Sequence, residues 1–559
     1  LLRATELRLV AHLRTAPRKG EPHPPKVLHM FNRRTFIGYS LVSTAAAGLL
    51  GQRPSYGDTP GGTLIIAQNP EPTVLTTGLT TAPATQLISP KIFDGLLYLS
   101  PTNGPQPQLA ESWSFSPDGL QVTFKLRPGV LWHDGQPFTS ADVAFSVMQV
   151  WKKYSSRGRS AFPNVQSVDT PDPLTAVWNL SRPTPYLLSA LNARDSQVLP
   201  RHLYAGTDIL NNPANIAPIG TGPFRLKEWV RGNYLTLERN PAYWQTGKPL
   251  LDQVIYRFMS DPSSVSAALE TGSVHVAYAD TLSNSEIRRL KNSPALSVID
   301  RLNTYGGTGI MALEFNLQRP QFQDVRVRQA FAHAIDKDFI LKHILLDQGT
   351  IADSPIPKNF PQFYSAGVPQ YPFDLKRAAA LLDEAGLKPD KDGIRLRIKN
   401  DPSPSPLYQQ TANFLRSSFG KIGVKLEIRN QDYAQFIDRV YGRYDFDTNL
   451  SPASTAPDPA IGLQRFYWSR NIQSGVAYSN ATHYSSPQVD ALLEQAQVDN
   501  DPVHRRDLYH QIQTRVLEDL PRIPIVSSED ALLARRDVQN LTDTSGAGFI
   551  GNLSNVRLG

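Results

Sequence analysis

Between residues 393 and 430 the chain reads strand, helix, strand, and that order closes off most architectures. "GIRLRIKN" (393–400) alternates apolar and polar side chains, a helical stretch spans about 406–420, and "GVKLEIRN" (423–430) alternates again. A strand that returns through a helix lies parallel to its predecessor, with a right-handed crossover. The flanking chain is helix-rich. "DVRVRQAFAHAIDKDFILKHIL" (324–345) reads as helical with Asp324 as N-cap, and "FDLKRAAALLDEAG" (373–386) as a helix with Asp374 as N-cap and Gly386 as stop. Asp501-Pro502 opens a helix with Leu508, Ile512 and Val516 on one face, ended before Pro521. "IPIVSSEDALLARRD" then returns to strand-like texture.

Ahead of about residue 310 the texture is different. "GGTLIIAQNP" (61–70) is a Gly-led apolar run of the kind that forms a buried strand. In "SWSFSPDGLQVTFKLRPGVLWHDGQPF" (112–138), Val122, Phe124 and Leu126 alternate with polar residues, and Asp118-Gly119 and Asp134-Gly135 supply turns. Ser140 is the expected N-cap of a helix with Val143, Val147, Val150 and Tyr154 on one face. "LTAVWNL" (174–180) and "NYLTLERN" (233–240) read as strands. A chain of 559 residues exceeds one hydrophobic core, so two or three lobes are expected.

"NRRTFIGYSLVSTAAAGLL" (32–50) decides the compartment. Its apolar part, Ile37 to Leu50, falls short of the about 20 residues a membrane-spanning helix needs. A basic start, a short apolar run and the small residues Ala45, Ala46 and Ala47 fit a cleaved export signal. Arg33-Arg34 before Thr35-Phe36-Ile37 resembles the twin-arginine signal, which a receptor reads on folded cargo. The first methionine is Met30, so residues 1–29 are expected to be an upstream extension and 30–57 the signal. The expected product is free in the periplasm.

Charge narrows the partners. Of 57 Lys/Arg and 50 Asp/Glu, residues 1–57 hold nine and two, which leaves 48 of each in the body. A neutral body gives no ground for nucleic-acid binding. With no cysteine, disulfides, thiol catalysis, zinc-thiolate sites and a lipid-modified cysteine are all excluded. No phosphate-cradling G-x-x-x-x-G-K-[ST] loop, H-E-x-x-H or G-x-S-x-G occurs. His504 and His510 are six apart on a predicted helix, about 120° off one face. Asp445 and Asp447 read as a solvated strand face. No nucleophile–base set is visible, no cofactor or metal is expected, and the chain is read as no enzyme.

Four segments resemble one family, the extracytoplasmic solute-binding proteins of ABC importers of the oligopeptide/dipeptide/nickel type (solute-binding protein family 5). They are "PQPQLAESWSFSPDGLQVTFKLRPGVLWHDGQPFTSADVAFS" (105–146), "PIGTGPFRLKEWVRGNYLTLERNPAYW" (218–244), "FNLQRPQFQDVRVRQAFAHAIDKD" (315–338) and "FDLKRAAALLDEAG" (373–386). Read as residues alone, Gly220-Thr221-Gly222-Pro223 is a tight turn into a strand, with ligand contact through its amides as the alternative. The resemblance implies an α/β bilobal periplasmic-binding-protein clamshell (type II-like) with an extra subdomain in the first lobe. It implies lobe I over 58–308 with the inserted subdomain at about 95–210, lobe II over 309–524 and a return to lobe I over 525–559.

The resemblance also implies a ligand held between the lobes by "DTNLSPASTAPDPAIGLQRFYWSRN" (447–471). Asp458-Pro459 matches the family's acidic-Pro step. Thr455 stands where peptide-binding relatives often place an aspartate for the peptide amine, which leaves Asp458 as the expected charged anchor. Arg465, Tyr467 and Trp468 are further candidates, the aromatic pair reading equally well as core, and Asn316 either caps the cleft or steadies the hinge. The implied function is a periplasmic receptor that passes a small, peptide-like solute to ABC permease subunits, working as a monomer. A receptor for a nickel–chelator complex, an opine or an oligosaccharide is the alternative, and an exported hydrolase a further one.

Overall fold

The computed structural model describes residues 61–559 apart from 81, 101–103, 279–280, 300–308, 457, 529–530, 544 and 546–547. The expected export signal with Arg33 and Arg34, and the extension before it, lie outside the described residues. Two sheets organise two lobes. The first has seven strands in the order Leu296–Ile299, Leu532–Arg535, Val276–Tyr278, Thr63–Gln68, Gln253–Phe258, Tyr234–Arg239, Phe224–Val230. The second has six: Gly349–Ile351, Arg522–Ser528, Ile310–Phe315, Thr448–Ala453, Leu396–Pro402, Val424–Ile428. A separate four-stranded sheet (Ala110–Phe115, Gln121–Leu126, Thr175–Leu180, Val165–Asp172) is inserted into the first lobe.

The strand–helix–strand unit forms as its pattern requires. Leu396–Pro402 and Val424–Ile428 pair in parallel, with Pro406–Gly420 as the crossover helix. That helix buries Ala412, Leu415 and Phe419 on the sheet. Asp374 and Asp501 cap their helices as expected, their carboxylates accepting backbone N–H groups of the first turn.

Three boundaries differ from the sequence reading. The stretch 324–345 is no single helix: Val325–His333 ends, and Asp336 accepts the Phe339 N–H to start a new turn. An aspartate mid-segment competes for backbone donors in this way. The cap ahead of Ser140–Phe145 is Thr139, whose N–H donates to Asp142, while the Ser140 hydroxyl donates to the Asp172 carbonyl. Arg522–Ser528 stays hydrogen-bonded to the second sheet over its length, so the chain returns to the first lobe after Ser528 rather than near 524.

The fully buried Asp94 ties the first lobe together. Its carboxylate accepts from Gln108 Nε2 (2.7 Å), Trp244 Nε1 (2.9 Å), Tyr243 Oη (3.3 Å), Thr221 Oγ1 (3.4 Å) and Asn552 Nδ2 (3.5 Å). Burial pushes the carboxyl up to about 6 despite the donors. Gly220 and Gly222 lie so close to the Ile92 carbonyl that a Cβ would sit 1.8 and 2.6 Å from its oxygen. His133 Nδ1 accepts from the Gly220 N–H and its Nε2 contacts the Gly222 carbonyl, and burial drops this imidazole to about 4. The Gly-Thr-Gly-Pro turn is therefore a packing device, and pieces of the 105–146 and 218–244 segments meet at one carboxylate.

Candidate ligand-binding cleft

The second-lobe wall starts from a charged residue in an apolar strand. Glu314 lies in the Ile310–Phe315 strand, and strand register sets Asn449 opposite it on one side and Arg522 on the other. Its carboxylate accepts from Asn449 Nδ2 at 3.0 Å and Ser451 Oγ at 2.5 Å, and pairs with Arg522 at 2.5 Å. Both charges are 2% exposed. None of the Arg522 guanidinium nitrogens makes an aligned hydrogen bond. Its cationic carbon stands 4.0 Å from the Phe466 ring.

The loop after Ala453 carries the next layer. Gly462 folds back onto Thr455, where a Cβ would lie 2.0 Å from the Thr455 carbonyl carbon. Asp458 accepts the Ala460 N–H at 2.9 Å, and the carbonyls of Asp458 and Pro459 close the following turns. This coil delivers Gln464–Tyr467 as a short helix. Its Arg465 guanidinium lies 4.6 Å from the Phe466 ring and 6.0 Å from that of Tyr478. The Arg465 Nε is buried with no acceptor. Burial, then the positive field of Arg157, lowers the guanidinium to about 10.

Arg157 belongs to the first lobe, where it pairs with Asp195. In the same lobe Tyr186, 1% exposed, keeps its hydroxyl buried without a partner among the described residues, pushed up to about 12 by burial and then by Asp458. Ala456, Ala460 and Ile461 of the second-lobe loop join the apolar cluster of the first lobe that contains Tyr186 and Leu187. Arg182 also reaches Gln497 across the seam at 3.5 Å, and Gln348 Nε2 donates to the Asn284 carbonyl at 2.8 Å. The lobes are closed on one another.

The expected site residues separate into groups. Arg465 lies within the field of the first-lobe Arg157, whereas Tyr467, 4% exposed, sits inside the second lobe in an apolar pocket with Phe466, Ala312, Pro524 and Arg522. Asp458 corrects the expectation of a ligand anchor. Its two oxygens take Arg505 Nη1 at 2.8 Å and Nη2 at 2.5 Å, so its charge is answered within the lobe. Burial lowers the Arg505 guanidinium, and the Asp458 charge reverses that to a net rise. Thr455 is buried under Gly462. Trp468 turns to the Pro487–Ala496 helix, donating to Glu494 at 3.1 Å. Asn316 donates to the Tyr444 and Phe446 carbonyls and fastens the segment entering the Thr448–Ala453 strand. Sequence reasoning missed Glu314, Arg522, Arg157 and Tyr186. A glutamate inside "IMALEF" and an arginine opening "RIPIV" were the available signal, since buried strand charges need partners.

Residues 104–474 match the family model of bacterial extracellular solute-binding proteins, family 5 Middle. The chain belongs to this family. Among family relatives, the oligopeptide-binding protein AppA of Bacillus subtilis is 26% identical over 482 residues, covering 82% of this chain and 85% of AppA. The crystal structure of NikZ from Campylobacter jejuni with Ni(L-His) superposes with a TM-score of 0.76 at 28% identity, over 88% of this chain and 99% of NikZ. AgaA from A. tumefaciens R10, in complex with agropinic acid, gives 0.74 at 26% identity over 89% and 99%. The family fold is the two-lobe clamshell expected above. Among the described residues of this family member, no three His, Asp or Glu side chains converge as a metal site. No described helix is long and apolar enough to cross a membrane.

Proposed function

We propose that the chain is a periplasmic receptor that closes its lobes on a small, peptide-like solute and presents it to the permease subunits of an ABC importer. One observation carries this reading. The closed seam holds buried polar atoms with no partner among the described residues: Arg465 Nε and Tyr186 Oη. Such atoms cost about 1–3 kcal/mol each when unanswered, which a ligand between the lobes relieves. The oligopeptide-binding relative favours a peptide. Asp458 serves by holding the loop that carries Arg465 and Tyr467.

The test is a thermal-shift and scattering screen with di- to pentapeptides, opines and oligosaccharides. A ligand at 100 times Kd adds about 2.7 kcal/mol of stability and compacts the protein. Consumption of the hit during calorimetric titration would replace the receptor reading with an enzymatic one. Export by the twin-arginine route is the companion proposal. Replacing Arg33 and Arg34 together by Lys should strand folded protein in the cytoplasm, and normal periplasmic levels of that variant would refute it.

A further inference from the structure

Two second-lobe guanidinium groups, Arg465 and Arg522, lie against the Phe466 ring, and Arg157 of the first lobe adds its positive field at Arg465. Two carboxylates answer them, Glu314 taking Arg522 and Asp195 taking Arg157. Arg465 has no carboxylate within ion-pair distance among the described residues, and its Nε is buried without an acceptor. A buried cation is retained only where it is paired or solvated. The same loop offers no counter-charge for an amine: Thr455 is uncharged and both Asp458 oxygens are on Arg505. Apolar surface lies next to the cation, since the Phe466 ring packs against both Arg465 and Arg522 and Tyr467 shares a pocket with Arg522.

We propose that this cleft selects anionic solutes, with a ligand carboxylate against the Arg465 guanidinium and the ligand's apolar part on Phe466 and Tyr467. This rests on the receptor reading above. Guanidinium and carboxylate match as a two-toothed pair, which fixes orientation as well as charge. Like-charge repulsion from Arg157 penalises an ammonium group at the same place. The ligand anion completes a set of charges that the protein leaves one short.

Calorimetry on the full chain with N-acetyl-Glu-Glu, Ala-Ala-Ala and Lys-Lys tests this, with thermal melts and small-angle scattering alongside. The acidic probe should bind at least 30-fold tighter than tri-alanine, and Lys-Lys weakest of all. Arg465→Gln should cost the acidic probe at least 30-fold while leaving the unliganded melting point unchanged or higher, because an unanswered charge is removed. Arg465→Lys should recover part of the affinity. Equal or tighter binding of tri-alanine or Lys-Lys would overturn the inference, as would an Arg465→Gln affinity within 3-fold of wild type. A neutral or basic probe that compacts the protein would leave the receptor reading standing and remove the anion selectivity. If no probe raises the melting point or compacts the protein, both fall.

Discussion

At Asp458 one carboxylate holds a turn and a helix at once. It accepts the Ala460 N–H and N–H groups of both terminal nitrogens of Arg505, on the Pro502–Asp519 helix. Asp458→Asn leaves the Arg505 cation buried without its counter-charge, and breaking such a pair costs about 3–5 kcal/mol. Urea unfolding without solute should show that loss, whereas a ligand anchor would leave unliganded stability unchanged. Asp94 and His133 make a second prediction. Folded His133 titrates near 4 against 6.5 for the free side chain, so on acidification the unfolded chain protonates first and stability falls between those values. Folded Asp94 titrates near 6 against 3.8, so the folded chain protonates first and stability rises as pH falls through that window. The two oppose each other. Asp94→Asn removes the compensating half, and between pH 6.5 and 4 the variant should lose about 2 kcal/mol more than wild type in urea titrations.

At the scale of elements, the loop from Ala453 to Gln464 positions the site through one close approach. A methyl group on Gly462 would overlap the Thr455 carbonyl, and overpacking of this kind costs about 1–3 kcal/mol. Gly462→Ala should therefore lower the melting point and, by displacing Arg465 and Tyr467, weaken ligand binding at least 10-fold. An unchanged calorimetric titration would show that the loop tolerates the shift. Most regular elements were legible because they rest on local signals: alternation at 393–400 and 423–430, and carboxylate caps at Asp374 and Asp501. The two-helix nature of 325–344 was hidden because Asp336 can end a turn or sit on a solvated face, and tertiary packing chooses. The site was less legible for a different reason. Arg157 and Arg465 are 308 positions apart, and the pairing of Asp458 with Arg505 depends on how a loop and a later helix dock. Chain order carries no record of such partners.

At the scale of the whole molecule, affinity depends on the closed state as well as on contacts with solute. Ala456, Ala460 and Ile461 leave the second lobe to pack into the first-lobe cluster, with Ile461 5% exposed. Opening the clamshell returns that side chain to water without disturbing either sheet. Burial of an isoleucine is worth about 1.5–3 kcal/mol, so Ile461→Ser penalises closure by roughly that amount and folding of each lobe hardly at all. A penalty of about 2 kcal/mol lowers the closed population, and with it the apparent affinity for any solute, about 30-fold. The loss should be the same for every ligand, because it acts on closure and not on recognition. Arg465→Gln should weaken only anionic ligands. Calorimetry with one acidic and one neutral solute on both variants separates the two effects, and scattering of the ligand-free Ile461→Ser protein should show a larger radius of gyration. A ligand-free Ile461→Ser protein as compact as wild type, with unchanged affinities, would mean that the 456–461 contact does not govern closure.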